Sequence, residues 1–369
     1  MTADAPAPAS FDFAVIGAGM AGASLGAELA ASGARVLLVE AEQAPGYHAT
    51  GRSAAFWTES YGGPGVQPLT AASGPALAAG GYLTPRGALT IARAGQEAAL
   101  DAFVARYAAV GVAVDRLDRA AIAARVPGLR PAWVGGALEP SCCDIDVARL
   151  HQDCLAAARR GGATLWTGAT LAEAEADGAG WTLAMADGRR ARAGVLVNAA
   201  GAWADRVASL AGVRPLALQP YRRTVAQVRT APPAGADLPL VLDLGEAFYF
   251  KPQAGRLWLS PHDETRSPPC DAAADELDVA TAVARLEQVV DWRVERIEHR
   301  WAGLRTFAPD RLPVYGFAPD GPRFFWFAGQ GGFGIQTAPA AARLAASLLV
   351  GGGGEPPVDP ARYSPARFA

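Results

Sequence analysis

FAVIGAGMAG, residues 13–22 of the chain, joins an apolar run to a glycine-rich turn with the spacing G-x-G-x-x-G. Strong helix formers follow from Ala23 to Ser32, and a second apolar run, Val36–Val39, leads directly to Glu40. A strand, a tight turn, a helix and a second strand in this order are typical of one half of a doubly wound α/β sheet. The stretch therefore predicts a βαβ unit that binds a dinucleotide.

Each glycine of the turn, and the acid that ends the unit, has a physical task. Gly17 permits the tight turn, Gly19 lets a pyrophosphate approach the backbone, and Gly22 lets the helix pack close to the sheet. The helix N-terminus offers free N–H groups and a partial positive charge to the phosphates. Glu40 lies about 20 residues further on and can accept hydrogen bonds from the ribose hydroxyls. Because an acid there disfavours a 2′-phosphate, FAD or NAD is expected rather than NADP.

Composition indicates a globular protein of two or three domains. The chain has 369 residues, of which 51% are hydrophobic and 19% charged, and its net charge of −3 argues against a nucleic-acid partner. No apolar run approaches the roughly 20 residues that span a bilayer. Residues 1–10 look like a disordered lead-in rather than a signal peptide, so a cytoplasmic location is expected. The four cysteines form no Cys-x-x-Cys pair, and no metal site is expected.

Three further segments extend the predicted cofactor site. Residues 48–55, His-Ala-Thr-Gly-Arg-Ser-Ala-Ala, form a polar turn that would lead into a second helix and offer hydroxyl groups, N–H groups and a cation to the cofactor. Residues 194–203 are a buried strand that runs into small residues, as in the returning part of a discontinuous nucleotide domain. Residues 323–337 run from an aromatic strand into a glycine loop. The helix that follows, from Ala338, could stabilise negative charge on a reduced flavin ring.

Together these segments resemble the D-amino-acid oxidase family of FAD-dependent amine and amino-acid oxidoreductases, and its bacterial D-amino acid dehydrogenases most closely. The likeness covers nearly the whole length and includes residues 197–203, 301–305 and 329–336. It implies non-covalent FAD and the oxidative deamination of a D-amino acid to a 2-oxo acid and ammonia, by hydride transfer from Cα to flavin N5. The small-molecule substrate would pass its electrons to a quinone, oxygen or a redox protein.

The predicted fold is α/β, with a Rossmann-like, discontinuous FAD-binding domain and a second α+β substrate domain. The substrate domain is built on an antiparallel sheet, since strand patterns alternate between Leu216 and Leu259. The predicted FAD-binding domain comprises residues 1–80, 145–215 and 300–369, and the substrate-binding domain comprises residues 81–144 and 216–299.

The resemblance also implies roles for individual residues. Arg305 would bind the substrate carboxylate through two parallel hydrogen bonds, assisted by Tyr249 and Arg223, while Tyr61 would lie on the active-site loop. Substrate contacts would also come from Phe56, Ala88, Gly332 and Gln336. Beside Gly17, Gly19, Gly22 and Glu40, the implied cofactor-binding residues are Ala21, Ala41, His48, Ala49, Thr50, Gly51, Arg52, Ser53, Ala54, Ala55, Thr170, Ala200, Gly201, Trp203, Gly329, Gly331, Gly332, Phe333, Gly334, Ile335 and Gln336. Each tyrosine could instead be a core residue, and Arg222 or Arg223 a surface ion pair.

Two departures from the family pattern bear on the substrate. Relatives that oxidise D-arginine have a glutamate where this chain has Ala88, and a histidine where it has Phe56. A buried guanidinium without its carboxylate partner is costly. A D-amino acid with a neutral, apolar side chain is therefore expected.

Other functions are compatible with the same residues. A sarcosine- or glycine-type secondary-amine oxidase and a 2-hydroxy-acid dehydrogenase would use the same fold, whereas a non-catalytic nucleotide-binding or assembly protein would take up no flavin. An NAD-only dehydrogenase is less expected, because residues 329–336 resemble a loop around a flavin ring. No cysteine lies between Arg305 and Pro313, which argues against the covalent flavin of monomeric sarcosine oxidases. No side chain stands out as the catalytic base, and water or Tyr61 could serve.

Overall fold

The computed structural model describes residues 9–351 and 355–369. Its strands, in chain order, are β1 (Ala9–Ile16), β2 (Val36–Val39), β3 (Phe56–Trp57), β4 (Leu83–Pro85), β5 (Ala88–Arg93), β6 (Asp115–Asp118), β7 (Trp133–Glu139), β8 (Cys143–Ile145), β9 (Thr164–Trp166), β10 (Leu171–Ala176), β11 (Trp181–Met185), β12 (Arg190–Asn198), β13 (Gln219–Ala231), β14 (Leu240–Asp243), β15 (Tyr249–Gln253), β16 (Arg256–Ser260), β17 (Thr265–Arg266), β18 (Arg293–Phe307), β19 (Val314–Ala318), β20 (Gly321–Ala328) and β21 (Gln330–Gly331). Its α-helices are α1 (Met20–Ala31), α2 (Gln67–Ala79), α3 (Glu97–Ala108), α4 (Arg119–Arg125), α5 (Val147–Arg160), α6 (Ala204–Leu210), α7 (Glu276–Val289) and α8 (Ala338–Val350).

The first sheet is the predicted α/β layer. Strands β9, β2, β1, β12 and β20 run parallel in that order, with β19 antiparallel at the β20 edge and the hairpin β10–β11 beside the start of β12. Helices α1, α5 and α8 cover one face. All four residues of β2 are buried, as expected for a parallel strand covered on both faces. The α/β fold class is thereby confirmed.

The second sheet is larger and mostly antiparallel, in the order β21-β18-β13-β16-β15-β14-β5-β7-β6. Helix α7 packs on one face through Val279 and Leu286, against Val228 and Phe250 of the sheet. Because side chains alternate along a strand, the other face presents the neighbours of those residues. That second face carries Arg223, Tyr249 and Arg305, and it borders the cavity described below.

The turn at residues 48–55 is present, but the second helix into which it was predicted to lead is not. Residues 46–51 form a turn closed by the hydrogen bond from Gly51 N–H to the Gly46 carbonyl oxygen (2.8 Å), and Phe56 enters β3, which pairs with β8. The hydroxyl of Thr50 instead accepts the N–H of Met20 at 2.9 Å. It thus caps α1, whose own N-cap residue, Gly19, has no side chain to do so.

Two further predictions concern the start of the chain and the domain boundary at residue 300. Of the predicted disordered lead-in, Ala9 and Ser10 belong to β1, and residues 1–8 lie outside the described part. Strand β18 continues to Phe307, so the proposed domain boundary at residue 300 falls inside a strand of the second sheet. Among the helices in the described part of the chain, none has the length and apolar character needed to cross a bilayer.

Candidate functional site

A cavity of about 450 Å³ runs from Glu40, at the end of β2, to Arg305, near the end of β18. Its volume is in the range of ligand-binding pockets. The predicted catalytic residues Tyr61, Arg223, Tyr249 and Arg305 all line it. So do the predicted cofactor or substrate residues Gly17, Gly19, Ala21, Glu40, Ala41, His48, Ala49, Thr50, Arg52, Ser53, Ala54, Ala55, Phe56, Thr170, Ala200, Gly201, Trp203, Gly331, Gly332, Gly334, Ile335 and Gln336.

The glycine turn after β1 is built so tightly that side chains are excluded. Gly17 has φ +101°, and a Cβ there would lie 2.5 Å from the carbonyl oxygen of Ala199, which follows β12. A Cβ at Gly22 would clash with the carbonyl oxygen of Gly17. Helix α1 therefore meets the sheet closely, and its first turn points N–H groups at the cavity.

Two side chains hold this turn in place. Glu40 accepts the N–H of Ala18 at 2.9 Å and that of Glu42 at 3.0 Å, while His151 Nε2 lies 2.8 Å from the Ala18 carbonyl oxygen. Glu40 thus shapes the loop in addition to facing the cavity. His151 was not predicted from the sequence. A single histidine on α5 gives no signal of a partner 133 residues earlier.

The segment 46–55 forms the opposite wall of this end of the cavity. The ring of His48 lies 4.6 Å from that of Trp203, and its Nε2 is 3.0 Å from Glu42 Oε1. Arg52, expected to meet the cofactor through its charge, directs its guanidinium to the carbonyl oxygens of Ala272 and Ala302 and to Asp271. Arg52 thus fastens this segment to the second sheet, and its charge is already neutralised.

Five predicted residues lie behind the cavity wall. Gly22 and Gly51 serve close backbone packing, and Gly329, at φ +73°, forms the turn between β20 and β21. Phe333 packs its ring edge-to-face against Tyr61, with 5.2 Å between the ring centroids. Ala88 is buried with Phe56 and Tyr249. These five residues support the site from behind the wall.

Arg305 is fixed at the far end of the cavity. Its guanidinium carbon lies 4.9 Å from the ring centroid of Phe307 and 5.5 Å from that of Phe333, and the residue is only 9% exposed. Any Cβ at Gly332 would collide with this guanidinium, so the glycine makes room for it. Burial lowers the pKa of Arg305 from its ordinary value. The pKa of arginine is so high that the group stays charged.

Three arginines and two carboxylates surround this end. Glu264 Oε1 lies 2.7 Å from Arg305 Nη1 and 2.8 Å from Arg311 Nη2, and Arg223 Nε lies 3.9 Å from Asp263 Oδ1. Although burial opposes it, the hydrogen bond from Arg311 and the charge of Arg305 lower the pKa of Glu264. Burial raises the pKa of Asp263, while hydrogen bonds from the N–H and hydroxyl of Thr224 and the charge of Arg223 favour its charged form. With both carboxylates ionised, the group carries one net positive charge. Arg223 Nη2 lies 3.5 Å from Glu264 Oε1 and is buried without a hydrogen-bond partner among the described residues.

Neighbouring arginines of β13 point to opposite sides. Arg222 pairs with Asp278 of α7 at 2.7 Å, and Arg223 faces the cavity. Arg222 therefore forms an ion pair away from the cavity, whereas Arg223 belongs to the group that faces it.

Aromatic rings and a histidine close the space next to Arg305. Phe56 contacts Tyr61 and Tyr249 edge-to-face, with centroid distances of 5.2 and 5.9 Å. The Tyr61 hydroxyl lies 3.4 Å from both Arg305 Nη2 and His262 Nε2. Burial raises the pKa of Tyr249. His262 was not predicted, although the polar run after β16 that contains it was a signal that could have found it.

Two buried side chains hold the loop that carries Tyr61. Glu139 accepts the N–H groups of Glu59 (2.8 Å) and Ser60 (3.1 Å) and the hydroxyl of Thr58. Gln336, predicted to contact cofactor and substrate, donates to the carbonyl oxygen of Tyr61 (3.3 Å) and to a hydroxyl of α2 (2.9 Å). Sequence reasoning missed Glu139, because its partners lie about 80 residues earlier in the chain.

The chain is similar to known FAD-dependent oxidoreductases. The family model DAO, FAD dependent oxidoreductase, matches residues 12–348. FAD-dependent oxidoreductase domain-containing protein 1 of Xenopus laevis is 27% identical over 175 residues, which are 43% of this chain and 35% of that protein. Glycine oxidase of Pseudomonas aeruginosa is 37% identical over 98 residues, which are 27% of this chain and 25% of that protein. This chain therefore matches about a third or less of the length of these curated relatives.

A solved structure covers far more of the chain. Glycine oxidase from Geobacillus kaustophilus superposes with a TM-score of 0.85 at 25% identity, over 96% of this chain and 98% of that one. The fold of this chain is thus one already known from a crystal structure.

Proposed function

Since this chain belongs to the DAO family of FAD-dependent oxidoreductases and has FAD as its cofactor, we propose that it catalyses the oxidative deamination of an α-amino acid. A D-amino acid with a neutral, apolar side chain is the first candidate. The observation that carries the proposal is the net positive group around the buried Arg305 and Arg223, at the opposite end of the cavity from Glu40.

The residues present fit FAD. The first turn of α1, with no Cβ at Gly17 or Gly19, would hold the pyrophosphate, and Glu40 the adenosine ribose. The glycine loop from Gly331 to Gln336, opposite Ala54, would hold the flavin ring. Bound there, FAD supplies the redox chemistry by accepting hydride from the substrate carbon.

Arg305 and Arg223 orient the substrate. A substrate carboxylate would neutralise the one net charge of the group and complete the hydrogen bonding of Arg223 Nη2. The hydroxyl of Tyr249, whose pKa is raised by burial, stays protonated and is a donor to the same carboxylate. Holding the carboxylate at this end fixes the position of Cα along the cavity.

The substrate amine must lose a proton before its nitrogen can push electrons toward Cα. Tyr61 is the cavity-lining hydroxyl near Arg305 that has an acceptor of its own, at His262. It therefore suits the task of receiving that proton. Water then hydrolyses the imine product to the 2-oxo acid and ammonia.

Charge favours a neutral side chain on the substrate. The walls nearest Ala88 are the rings of Phe56 and Tyr249. Two carboxylates lie behind them, buried Glu139 and partly buried Asp144, and both are already paired. Glu139 binds the Tyr61 loop, and Asp144 binds Arg86 and Lys251 at 2.7 and 2.6 Å. A cationic side chain entering this space would meet no free partner.

A glycine- or sarcosine-type amine oxidation is the second candidate. The edge-to-face packing of Phe56 on both Tyr61 and Tyr249 brings the three rings together where a side chain would extend. That arrangement, together with the likeness to glycine oxidase from Geobacillus kaustophilus, favours a small substrate. A 2-hydroxy acid would satisfy the arginines equally well but would present no ammonium group to Tyr61.

Anaerobic mixing of the purified flavoprotein with single compounds tests the proposal. Flavin absorbance should bleach with D-leucine, D-methionine or D-phenylalanine. Bleaching by glycine and sarcosine alone would establish the second candidate, and bleaching by L-amino acids or 2-hydroxy acids alone would overturn the substrate assignment. No bleaching by any of these compounds would refute oxidation of a carboxylate-bearing amine.

A further inference from the structure

We propose that His262 is the hydrogen-bond acceptor through which Tyr61 passes on the proton released by the substrate ammonium group. This inference rests on the proposed function and assigns the proton path of the same site. His262 does not line the cavity, so it acts through Tyr61 and is a positioning and proton-holding residue rather than a group that touches substrate.

The geometry defines a short chain of groups. The Tyr61 hydroxyl lies 3.4 Å from His262 Nε2 and 3.4 Å from Arg305 Nη2. Arg305 has no lone pair to offer, so it donates and Tyr61 accepts, which directs the Tyr61 proton toward His262. Both contacts are long, as catalytic hydrogen bonds often are before substrate binds.

The backbone at His262 is held in an unusual conformation. Its φ of +54° is rare for a non-glycine residue, and such strain persists where the surroundings impose it. The N–H of His262 donates to the hydroxyl of Ser260 at 3.2 Å, and its ring packs edge-to-face on Tyr249 with 5.9 Å between centroids. The strand end thus aims the imidazole at Tyr61.

The ring orientation leaves a lone pair on Nε2. Nε2 is the ring nitrogen of His262 that faces the Tyr61 hydroxyl. We therefore assign the ring proton of the neutral imidazole to Nδ1. Nε2 is then the free acceptor.

The surrounding charges make this acceptor responsive to substrate. Burial, followed by the charges of Arg223 and Arg305 and more weakly of Arg285, lowers the pKa of His262 to about 2 in the free protein. A substrate carboxylate bound between Arg223 and Arg305 would place one negative charge beside two of these three cations, while the burial of the ring is unchanged. The basicity of Nε2 therefore rises when substrate is in place.

The transfer balances without any further reactant. The substrate N–H bond breaks as an O–H bond forms on Tyr61, and the original Tyr61 O–H bond breaks as an N–H bond forms on His262 Nε2. The electron pair stays on the substrate nitrogen. The product is an imidazolium protonated at both Nδ1 and Nε2.

Variants at position 262 test the proposal by rapid anaerobic flavin reduction across pH. Asparagine keeps an acceptor but takes up no proton, and glycine suits the backbone at φ +54°. In H262N and H262G we expect the reduction rate to fall about 100-fold at neutral pH and its pH profile to shift upward. Added imidazole should restore part of the rate in H262G. The control is H299N, at an exposed histidine of β18, which should behave like the unaltered protein.

Two measurements separate a proton path from general damage. Acetate binding, followed by the flavin spectrum, should stay within about threefold in H262N, because Arg305 and Arg223 are intact. Nitrogen-15 NMR of labelled histidines should show Nε2 of His262 unprotonated, with a shift that changes in Y61F. The role of His262 would be wrong if Nε2 were protonated, or if reduction rates and pH profiles were unchanged in both variants. The proposed function would still stand in either case. Failure of the unaltered protein to bleach with any amine would overturn the proposed function as well.

Discussion

Glu139 lies directly opposite Ala88 in the pairing of β7 with β5, and it is directed into the segment that precedes Tyr61. Its carboxylate is buried, with 1% of the residue exposed, and it accepts hydrogen bonds from residues 58, 59 and 60. The Glu139 carboxylate, opposite Ala88 in this pairing, therefore holds the loop and adds no free charge to the space where a substrate side chain would lie.

This pairing predicts discrimination against cationic substrates. D-arginine and D-lysine should reduce the flavin at least about tenfold more slowly than D-leucine or D-methionine, since a buried cation would find no free carboxylate. The measurement is the anaerobic reduction rate at saturating amino acid. Faster reduction by D-arginine would show that the interpretation of Ala88 is wrong.

A glutamate introduced at Ala88 should lower the stability of the folded protein. Ala88→Glu would bury a second carboxylate beside Glu139, and we expect a loss of about 3 kcal/mol in the free energy of unfolding. Chemical denaturation measures it. Ala98→Glu, at an exposed position in the first turn of α3, is the matched control and should change little. Equal stability of the two variants would contradict the assignment of this region as charge-excluding.

Glu139→Gln should loosen the loop that carries Tyr61. An amide nitrogen cannot accept a hydrogen bond, so at least one buried donor among residues 58–60 loses its acceptor, at a cost of about 1–3 kcal/mol. Amide hydrogen exchange in this segment should accelerate. Glu276→Gln, at a side chain that is 84% exposed, is the control. Unchanged exchange at residues 58–63 would refute the role of Glu139.

The sequence predicted the cofactor half of the site well because its signal is local. The residues from Gly17 to Glu40 form one continuous unit, and the structure places them as the motif requires. The turn at Thr50 was misjudged as a helix start, because the helix that it caps begins 30 residues earlier. Local sequence indicates that a cap is present but cannot indicate which helix it serves.

The substrate half depended on resemblance and on long-range contacts. Arg305 and Tyr249 were proposed from their likeness to family motifs, whereas His262 and Glu139 contact partners 201 and about 80 residues away in the chain. The positions of His262 and Glu139 depend on how β16 pairs with β13 and how β7 pairs with β5. The spacing of residues along the sequence does not reveal these pairings.

Gly22 and Gly26 give a matched pair for the packing of α1. Gly22→Ala would push a methyl group into the Gly17 carbonyl oxygen, whereas a Cβ at Gly26 meets only the movable end of Leu38, at 2.8 Å. Both changes raise helix propensity by about 1 kcal/mol. We expect Gly22→Ala to lose FAD on gel filtration and Gly26→Ala to retain it. Equal FAD retention would show that the Gly22 contact is unimportant.

Arg305→Lys should separate charge from geometry at the carboxylate end. Lysine keeps the charge but loses the planar pair of donors, so acetate should bind about 10- to 100-fold more weakly. Titration of the flavin spectrum with acetate measures this. Arg300→Lys, on the same strand but paired with exposed Glu276 at 3.2 Å, should leave the affinity unchanged. An unaltered affinity in Arg305→Lys would place the carboxylate elsewhere.

His262 should make the folded protein sensitive to acid. Burial and the charges of Arg223 and Arg305 lower its pKa from 6.5 to about 2, so below pH 6.5 the unfolded chain binds a proton that the folded chain does not. The contribution of His262 to the free energy of unfolding is therefore fully present above pH 6.5 and is lost as the pH falls toward 2. Since the ring is partly exposed, we expect up to about 1 kcal/mol per pH unit.

The comparison of H262N with the unaltered protein isolates this group, because asparagine tolerates the same backbone conformation and does not titrate. Urea unfolding at pH 7.5, 6.0 and 5.0 should show the unaltered protein losing stability faster than the variant. The other three histidines are common to both proteins and cancel in the difference. Parallel pH dependence in the two proteins would mean that His262 binds protons equally in the folded and unfolded chains, and hence that the fold does not lower its pKa.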